Sequence, residues 1–83
     1  MSPKVVKIRA PLTGTFYEAP SPDAPPFVKI GQRINSGDVV CIVESMKVFT
    51  EVRSEYNGII KNIFVKDEQP VLKDQELMEI EII

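Results

Sequence analysis

Val39-Val40-Cys41-Ile42-Val43-Glu44-Ser45-Met46-Lys47-Val48-Phe49-Thr50-Glu51-Val52-Arg53 consists of two β-branched, apolar runs on either side of a short joint. Residues of this kind suit a pleated, half-buried surface, so both flanks read as strands. The joint, Ser45-Met46-Lys47, contains no Gly, Asn, Asp or Pro. A tight hairpin here wants residues that accept a positive φ, a backbone that costs an ordinary residue roughly 1–2 kcal/mol. A turn made of unsuitable residues points to side chains selected for something other than turning.

Outward from this stretch the chain repeats itself. At an offset of 37 residues, Phe27-Val28-Lys29 falls on Phe64-Val65-Lys66, Gln32 on Gln69, Ile34 on Val71, Val40 on Leu77, Val43 on Ile80 and Glu44 on Glu81. At an offset of 44, Ile8-Arg9 falls on Val52-Arg53 and Gly14 on Gly58. Chance likeness between β-rich segments supplies generic alternation, not identities at Phe, Val, Lys, Gln, Arg, Gly and Glu in fixed register. The offsets differ by seven, so the first copy carries seven extra residues between Phe16 and Phe27. Four of the seven prolines lie there, in Ala19-Pro20-Ser21-Pro22-Asp23-Ala24-Pro25-Pro26. Proline fixes φ and lacks an amide donor, so this insert is a stiff loop.

No window shows a helical apolar stripe. Short apolar segments recur near 4–9, 14–17, 27–30, 39–44, 48–53, 59–65, 71–72 and 77–82, separated by turn signals such as Asn35-Ser36-Gly37-Asp38, Asn57-Gly58 and Lys73-Asp74. Such spacing predicts an all-β sandwich or flattened barrel. In the last segment Met78, Ile80 and Ile82 are expected on the buried face, with Leu77, Glu79 and Glu81 on the wet one. The repeat then places Cys41 and Val43 in the core, as the counterparts of Met78 and Ile80. Two similar halves related by a pseudo-two-fold axis are expected, each giving strands to both layers. The Lys47 hairpin protrudes at one end and the termini meet at the other.

The chain has 83 residues, 10 Lys and Arg against 12 Asp and Glu, no histidine and one cysteine. One small domain is expected, with no room to wall off a deep catalytic cavity. A mildly acidic balance argues against nucleic acid. The lack of histidine removes the commonest general base and metal ligand. A lone Cys41 allows neither an internal disulfide nor a cysteine metal cluster, and it fits a reducing compartment. No apolar run is long enough to span a membrane and no signal-peptide pattern is present. Met1-Ser2-Pro3 reads either as the native start or as a remnant of cloning.

Candidate chemistry narrows to one residue. Cys41 lies mid-strand with no histidine to activate it and reads as a buried structural thiol. Glu79 and Glu81 alternate on a solvated strand face and do not form a catalytic pair. Gly31 and Gly37 are isolated turn glycines, not a phosphate loop. Phe27, Phe64 and Tyr56 lack basic neighbours and read as packing, not as a stacking platform. Lys47 remains.

Val43-Glu44-Ser45-Met46-Lys47-Val48 resembles the Glu-Ala-Met-Lys-Met segment of biotinyl domains. The resemblance covers nearly the whole chain. Ala10-Pro11-Leu12-Thr13-Gly14-Thr15-Phe16-Tyr17 looks like the family's first hairpin. Gly31-Gln32-Arg33-Ile34-Asn35-Ser36-Gly37-Asp38 looks like its Val-Gly-Asp turn region, and Asn57-Gly58 matches its Ser-Gly after the fifth strand. The Pro-rich insert Ala19, Pro20, Ser21, Pro22, Asp23, Ala24, Pro25, Pro26 is similar to the "thumb" of the carriers in bacterial and plastid-type acetyl-CoA carboxylase. Ser45 and Val48 depart from the family's Ala and Met.

The resemblance implies a flattened barrel of two four-stranded antiparallel sheets. It also implies a non-catalytic carrier with biotin joined to Lys47 by a biotin protein ligase that reads Glu44, Ser45, Met46 and Val48. A lysine amine is protonated at neutral pH, so the ligase would supply the deprotonation and the activated acyl donor. A biotin carboxylase would then load the ring with a carboxyl group, and a carboxyltransferase would pass it to acetyl-CoA for fatty acid synthesis. The thumb would lie beside the ring. No nucleic-acid or membrane partner is implied, and the setting is the cytoplasm or a plastid stroma. Residues 1–83 are expected to be the C-terminal part of a longer carrier. Three alternatives stay open: another biotin-dependent carboxylase, a lipoyl carrier (toward which Val48 leans), and a non-carrier interaction module of the same fold.

Overall fold

A computed structural model describes residues 4–83; Met1-Ser2-Pro3 lies outside the described residues. Eight strands form: β1 (Val5–Arg9), β2 (Gly14–Tyr17), β3 (Arg33–Ile34), β4 (Val39–Ser45), β5 (Val48–Arg53), β6 (Gly58–Ile63), β7 (Pro70–Val71) and β8 (Glu76–Ile82). They pair antiparallel into two four-stranded sheets, β1-β8-β6-β3 and β5-β4-β2-β7. Between the sheets lie Ile8, Phe16, Ile34, Val40, Cys41, Val43, Ile60, Val71, Leu77, Met78 and Ile80, all buried. Apolar residues at alternate strand positions bury one face of each sheet against the other, which is the driving force for a sandwich this small.

The repeat in the sequence is a two-fold repeat in space. The offset of 44 takes β1 and β2 onto β5 and β6, and the offset of 37 takes β3 and β4 onto β7 and β8. The two sheet orders then map onto each other, and each half contributes to both layers. The agreement reaches single residues. Gly14 and Gly58 are equivalent, and a β-carbon on either would run into a backbone carbonyl of the adjacent strand, at Glu44 and Glu81 respectively. Those two glutamates are themselves equivalent. Glycine is required at both places because the strands approach too closely for a side chain.

Two strand assignments change. The segment 27–30 is not a strand; the pairing residues are Arg33 and Ile34. Val28 is buried and drew the strand reading, but it plugs the core from a connecting loop, as its counterpart Val65 does. The Phe27 amide donates to the Glu18 carbonyl at 2.8 Å, a loop contact and not a ladder bond. Leu77, expected on the wet face, is fully buried beside Met78. The cause is a β-bulge: Ile8 faces Met78 and Arg9 faces Glu76, leaving Leu77 as the extra residue. Its counterpart Val40 is the extra residue in β4, between Val39 opposite Arg53 and Cys41 opposite Val52. A bulge breaks the period of two, so consecutive residues turn inward. Of the aromatics read as packing, Phe27 packs on the core, while Phe64 and Tyr56 are exposed.

β1 and β5 approach each other around Ile8 and Val52, which line one cleft and are equivalent under the pseudo-two-fold. The Ile83 amide donates to the Asn57 carbonyl at 3.2 Å, in the turn that follows β5, so the last residues lie at the far end of β5 from Val48. The Ile82 amide donates to the Lys4 carbonyl at 2.9 Å, so the two ends of the described chain adjoin, away from the Lys47 hairpin. Among the described residues no helix is long and apolar enough to cross a membrane.

Candidate functional site

The hairpin between β4 and β5 closes on Ser45 opposite Val48, so Ser45 belongs to the strand and the turn is Met46-Lys47 alone. Both turn residues are left-handed, with φ of 52° at Met46 and 66° at Lys47. Two successive left-handed residues are the hairpin geometry that matches strand twist and that Asn-Gly normally supplies. Met46 is 91% exposed, and Lys47, Val48 and Phe49 are exposed with it. Among the described residues no ion pair involves Lys47.

The nearest acid in sequence is occupied by the backbone. Glu44 Oε2 accepts the Lys47 N–H at 3.3 Å, and Glu44 Oε1 accepts the Tyr17 hydroxyl at 3.1 Å. The hydrogen bond to Glu44 is the first cause of a Tyr17 pKa raised above the ordinary phenol value, followed by partial burial and the charges of Glu44, Glu68 and Asp67. A phenol that donates to a carboxylate resists ionising beside it.

Register explains why these groups meet. Thr15, Glu44 and Phe49 lie in one row across β2, β4 and β5, and Tyr17, Ile42 and Glu51 in the next. All point away from the core, whose side holds Phe16, Val43 and Val52. The Tyr17 and Phe49 rings pack with centroids 6.2 Å apart at 41°. The Pro-rich loop stands over this face. Its neck is closed by the Phe27 amide on the Glu18 carbonyl, and the Glu18 amide donates to Asp67 Oδ1 at 3.0 Å. Ala24 donates to the Ser21 carbonyl at 3.1 Å, turning the loop back on itself.

Between loop and sheet lies a cleft of about 400 Å³ walled by Ala19, Pro20, Ser21 and Pro22 on one side and by Tyr17, Ile42 and Phe49 on the other, with Asp67 and Glu68 alongside. Asp23, Ala24 and Pro25 do not line it, and Pro26 lines a separate hollow with Val28 and Val40. The anticipated thumb residues thus divide, with the first four facing the cleft. Sequence reading missed Tyr17, Ile42, Phe49, Asp67 and Glu68. A signal for the first three was present, because they are apolar or aromatic on the strand face that alternation assigns to water. Asp67 and Glu68 arrive from the turn before β7, and nothing local marks them.

The other candidate groups among the described residues are structural. The described residues contain no group of three or more His, Cys, Asp or Glu placed to hold a metal ion. Cys41 is fully buried and its thiol is pushed up to about 12 by burial. Glu79 and Glu81 pair with Lys7 and Lys61 on the outer face of the other sheet.

Comparison with known proteins agrees with this geometry. The family model described as "Biotin-requiring enzyme" matches residues 6–80. The biotin carboxyl carrier protein of acetyl-CoA carboxylase from Pseudomonas aeruginosa is 45% identical over 73 residues, which is 88% of this chain and 47% of that protein. The chloroplastic counterpart from Arabidopsis thaliana is 39% identical over 74 residues, 89% of this chain and 26% of that protein. The chain thus spans at most about half the length of these relatives. A single-chain, multi-domain long-chain acyl-CoA carboxylase superposes with a TM-score of 0.83 over 100% of this chain and 8% of its own, at 19% identity, a likeness of fold. With its eight-strand, pseudo-symmetric sandwich and a lysine on the β4–β5 turn, the chain belongs to the biotin/lipoyl attachment family.

Proposed function

We propose that this chain is the biotin-bearing domain of a biotin carboxyl carrier protein serving acetyl-CoA carboxylase. Biotin would be held in amide linkage to Lys47 Nζ. The observation that carries the reading is the Met46-Lys47 turn: a strained backbone, presented at one end of the molecule, with its amine outside every ion pair of the described residues. The residues fit the group. An exposed primary amine accepts an amide bond, and the neighbouring cleft offers aromatic and proline walls to a ring, with polar atoms at Ser21, Asp67 and Glu68.

When attached, biotin supplies a ring nitrogen that takes up and releases a carboxyl group, while the protein contributes no reacting atom. The work of this chain is to hold and to present. Glu44 fixes the turn backbone through the Lys47 amide, and β4 and β5 carry the lysine on a rigid base. Met46, Ser45 and Val48 surround the lysine on the surface a ligase would touch. The thumb residues 19–22 would shelter the ring between two partner sites. Tethering gives each site a high effective concentration of cofactor without free diffusion. The partners are then a biotin protein ligase, a biotin carboxylase and a carboxyltransferase, in the cytoplasm or a plastid stroma. Residues 1–83 are the attachment domain of a longer carrier.

The test is reconstitution. Biotinylated wild-type chain, supplied to purified biotin carboxylase and carboxyltransferase with ATP and bicarbonate, is expected to support malonyl-CoA formation from acetyl-CoA. Lys47→Arg is expected to support none. Turnover that survives Lys47→Arg would sink the carrier reading, and preference for another acceptor would reassign the carrier to a different carboxylase.

A further inference from the structure

The two halves of the molecule make the same contact with different chemistry. Glu44 and Glu81 are equivalent at the offset of 37, and Tyr17 and Lys61 at the offset of 44. In the second half Glu81 is held by Lys61 Nζ at 3.6 Å, an ordinary surface ion pair. In the first half Glu44 is held by the Tyr17 hydroxyl at 3.1 Å. Only Glu44 has a further duty, because its second oxygen accepts the Lys47 amide at the crest of the strained turn.

The substitution of a phenol for an ammonium has two consequences. A neutral donor leaves the full charge of Glu44 on the Lys47 amide, and hydrogen bonds to a charged acceptor are the stronger ones. The tyrosine ring also packs on Phe49, which lies opposite Glu44 in the register, so β2, β4 and β5 are tied together directly beneath the turn. The raised pKa of Tyr17 agrees, since Glu44 is its leading cause.

We infer that Tyr17 is a positioning residue for acylation of Lys47: its hydroxyl holds the Glu44 carboxylate, Glu44 holds the Lys47 amide, and the turn presents its lysine in one form. This rests on the carrier reading for its purpose but not for its geometry. A modifying enzyme that binds only that form has its apparent dissociation constant divided by the fraction of turns that remain closed, so every opened turn raises it.

The experiment combines NMR hydrogen exchange of the Lys47 amide with steady-state kinetics of a purified biotin protein ligase, using wild type, Tyr17→Phe and Tyr17→Lys. Tyr17→Phe keeps the ring and removes the hydroxyl. It is expected to speed Lys47 exchange about tenfold, the size of one hydrogen bond to a charged group. It is expected to raise the ligase KM for the domain by a smaller factor than it speeds exchange, because KM follows the fraction of turns still closed, with kcat within about twofold. Tyr17→Lys copies the second half and still holds Glu44, but it shares the carboxylate charge and loses the ring on Phe49, so exchange and KM are expected to fall between those of Tyr17→Phe and wild type. Unchanged Lys47 exchange in Tyr17→Phe overturns the inference. So does a raised KM with unchanged exchange, which would mean that the ligase touches the phenol itself. If wild type accepts no biotin, the carrier reading fails, while the exchange measurement still decides the clamp.

Discussion

Lys47 and Met46 occupy a backbone that suits Asn-Gly, and only their side chains can account for their presence. Met46→Asn is expected to stabilise the domain by about 1 kcal/mol, the cost of a left-handed ordinary residue, and to slow ligase labelling. Denaturant midpoints and labelling rates read the two effects separately; a variant that is labelled at the wild-type rate would remove the reason given for methionine. This strain was legible in the sequence, because an unsuitable turn between two strands announces itself. The identity of the holding groups was not, since Tyr17 is 27 residues from Glu44 and reaches it only through strand register. Cys41 gives a second residue-scale prediction. Its thiol is pushed from an ordinary 9.0 to about 12 by burial. Between these values the unfolded chain releases a proton that the folded chain keeps, so stability is fully present below about pH 9 and falls as pH rises toward 12. Cys41→Val is expected to flatten that part of the stability profile, and an unchanged slope in urea titrations from pH 8 to 11 would contradict the burial argument.

At the scale of elements, each strand pair is held where its neighbour's backbone comes closest. Gly14→Ala and Gly58→Ala are each expected to lower stability by about 3 kcal/mol, the upper end for overpacking, because a strand carbonyl cannot move aside as a side chain can. Denaturant unfolding checks this; a loss within about 0.5 kcal/mol, as at an open surface site, would contradict it. The symmetry also shows where the second copy departs from the first. Gly31 and Gly37 have positive φ, and so do their counterparts Glu68 and Asp74. The longer strands and the pseudo-two-fold were recoverable from alternation and the repeat because equivalent residues keep equivalent burial, whereas the two-residue strand at Arg33-Ile34 and the order of strands in each sheet were not. The bulges at Val40 and Leu77 were not, since a bulge is set by pairing and leaves no mark in composition. Val28 misled for a related reason: a buried apolar residue in a crossing loop has the same composition as one in a strand.

The whole molecule is a symmetric scaffold with one asymmetric addition. β6 runs six residues and its counterpart β2 only four, because the chain leaves β2 at Tyr17 to build the thumb. The second half therefore shows how the first would close without it. Deleting residues 20–26 is expected to leave a cooperatively folding domain with β2 extended to match β6, since surface insertions contribute little to stability. Ligase labelling is expected to continue, while turnover with biotin carboxylase and carboxyltransferase falls. Loss of folding would mean that the thumb is part of the core. Undiminished turnover would mean that the cleft does not serve the cofactor. The carrier role stands or falls with Lys47. Intact-mass analysis after incubation with biotin protein ligase, biotin and ATP tests it most directly: wild type is predicted to gain a single biotinyl group, mapped to Lys47 by peptide fragmentation, and Lys47→Arg none. An unmodified wild type, a group mapped to another lysine, or lipoyl in place of biotin after native expression would contradict the account.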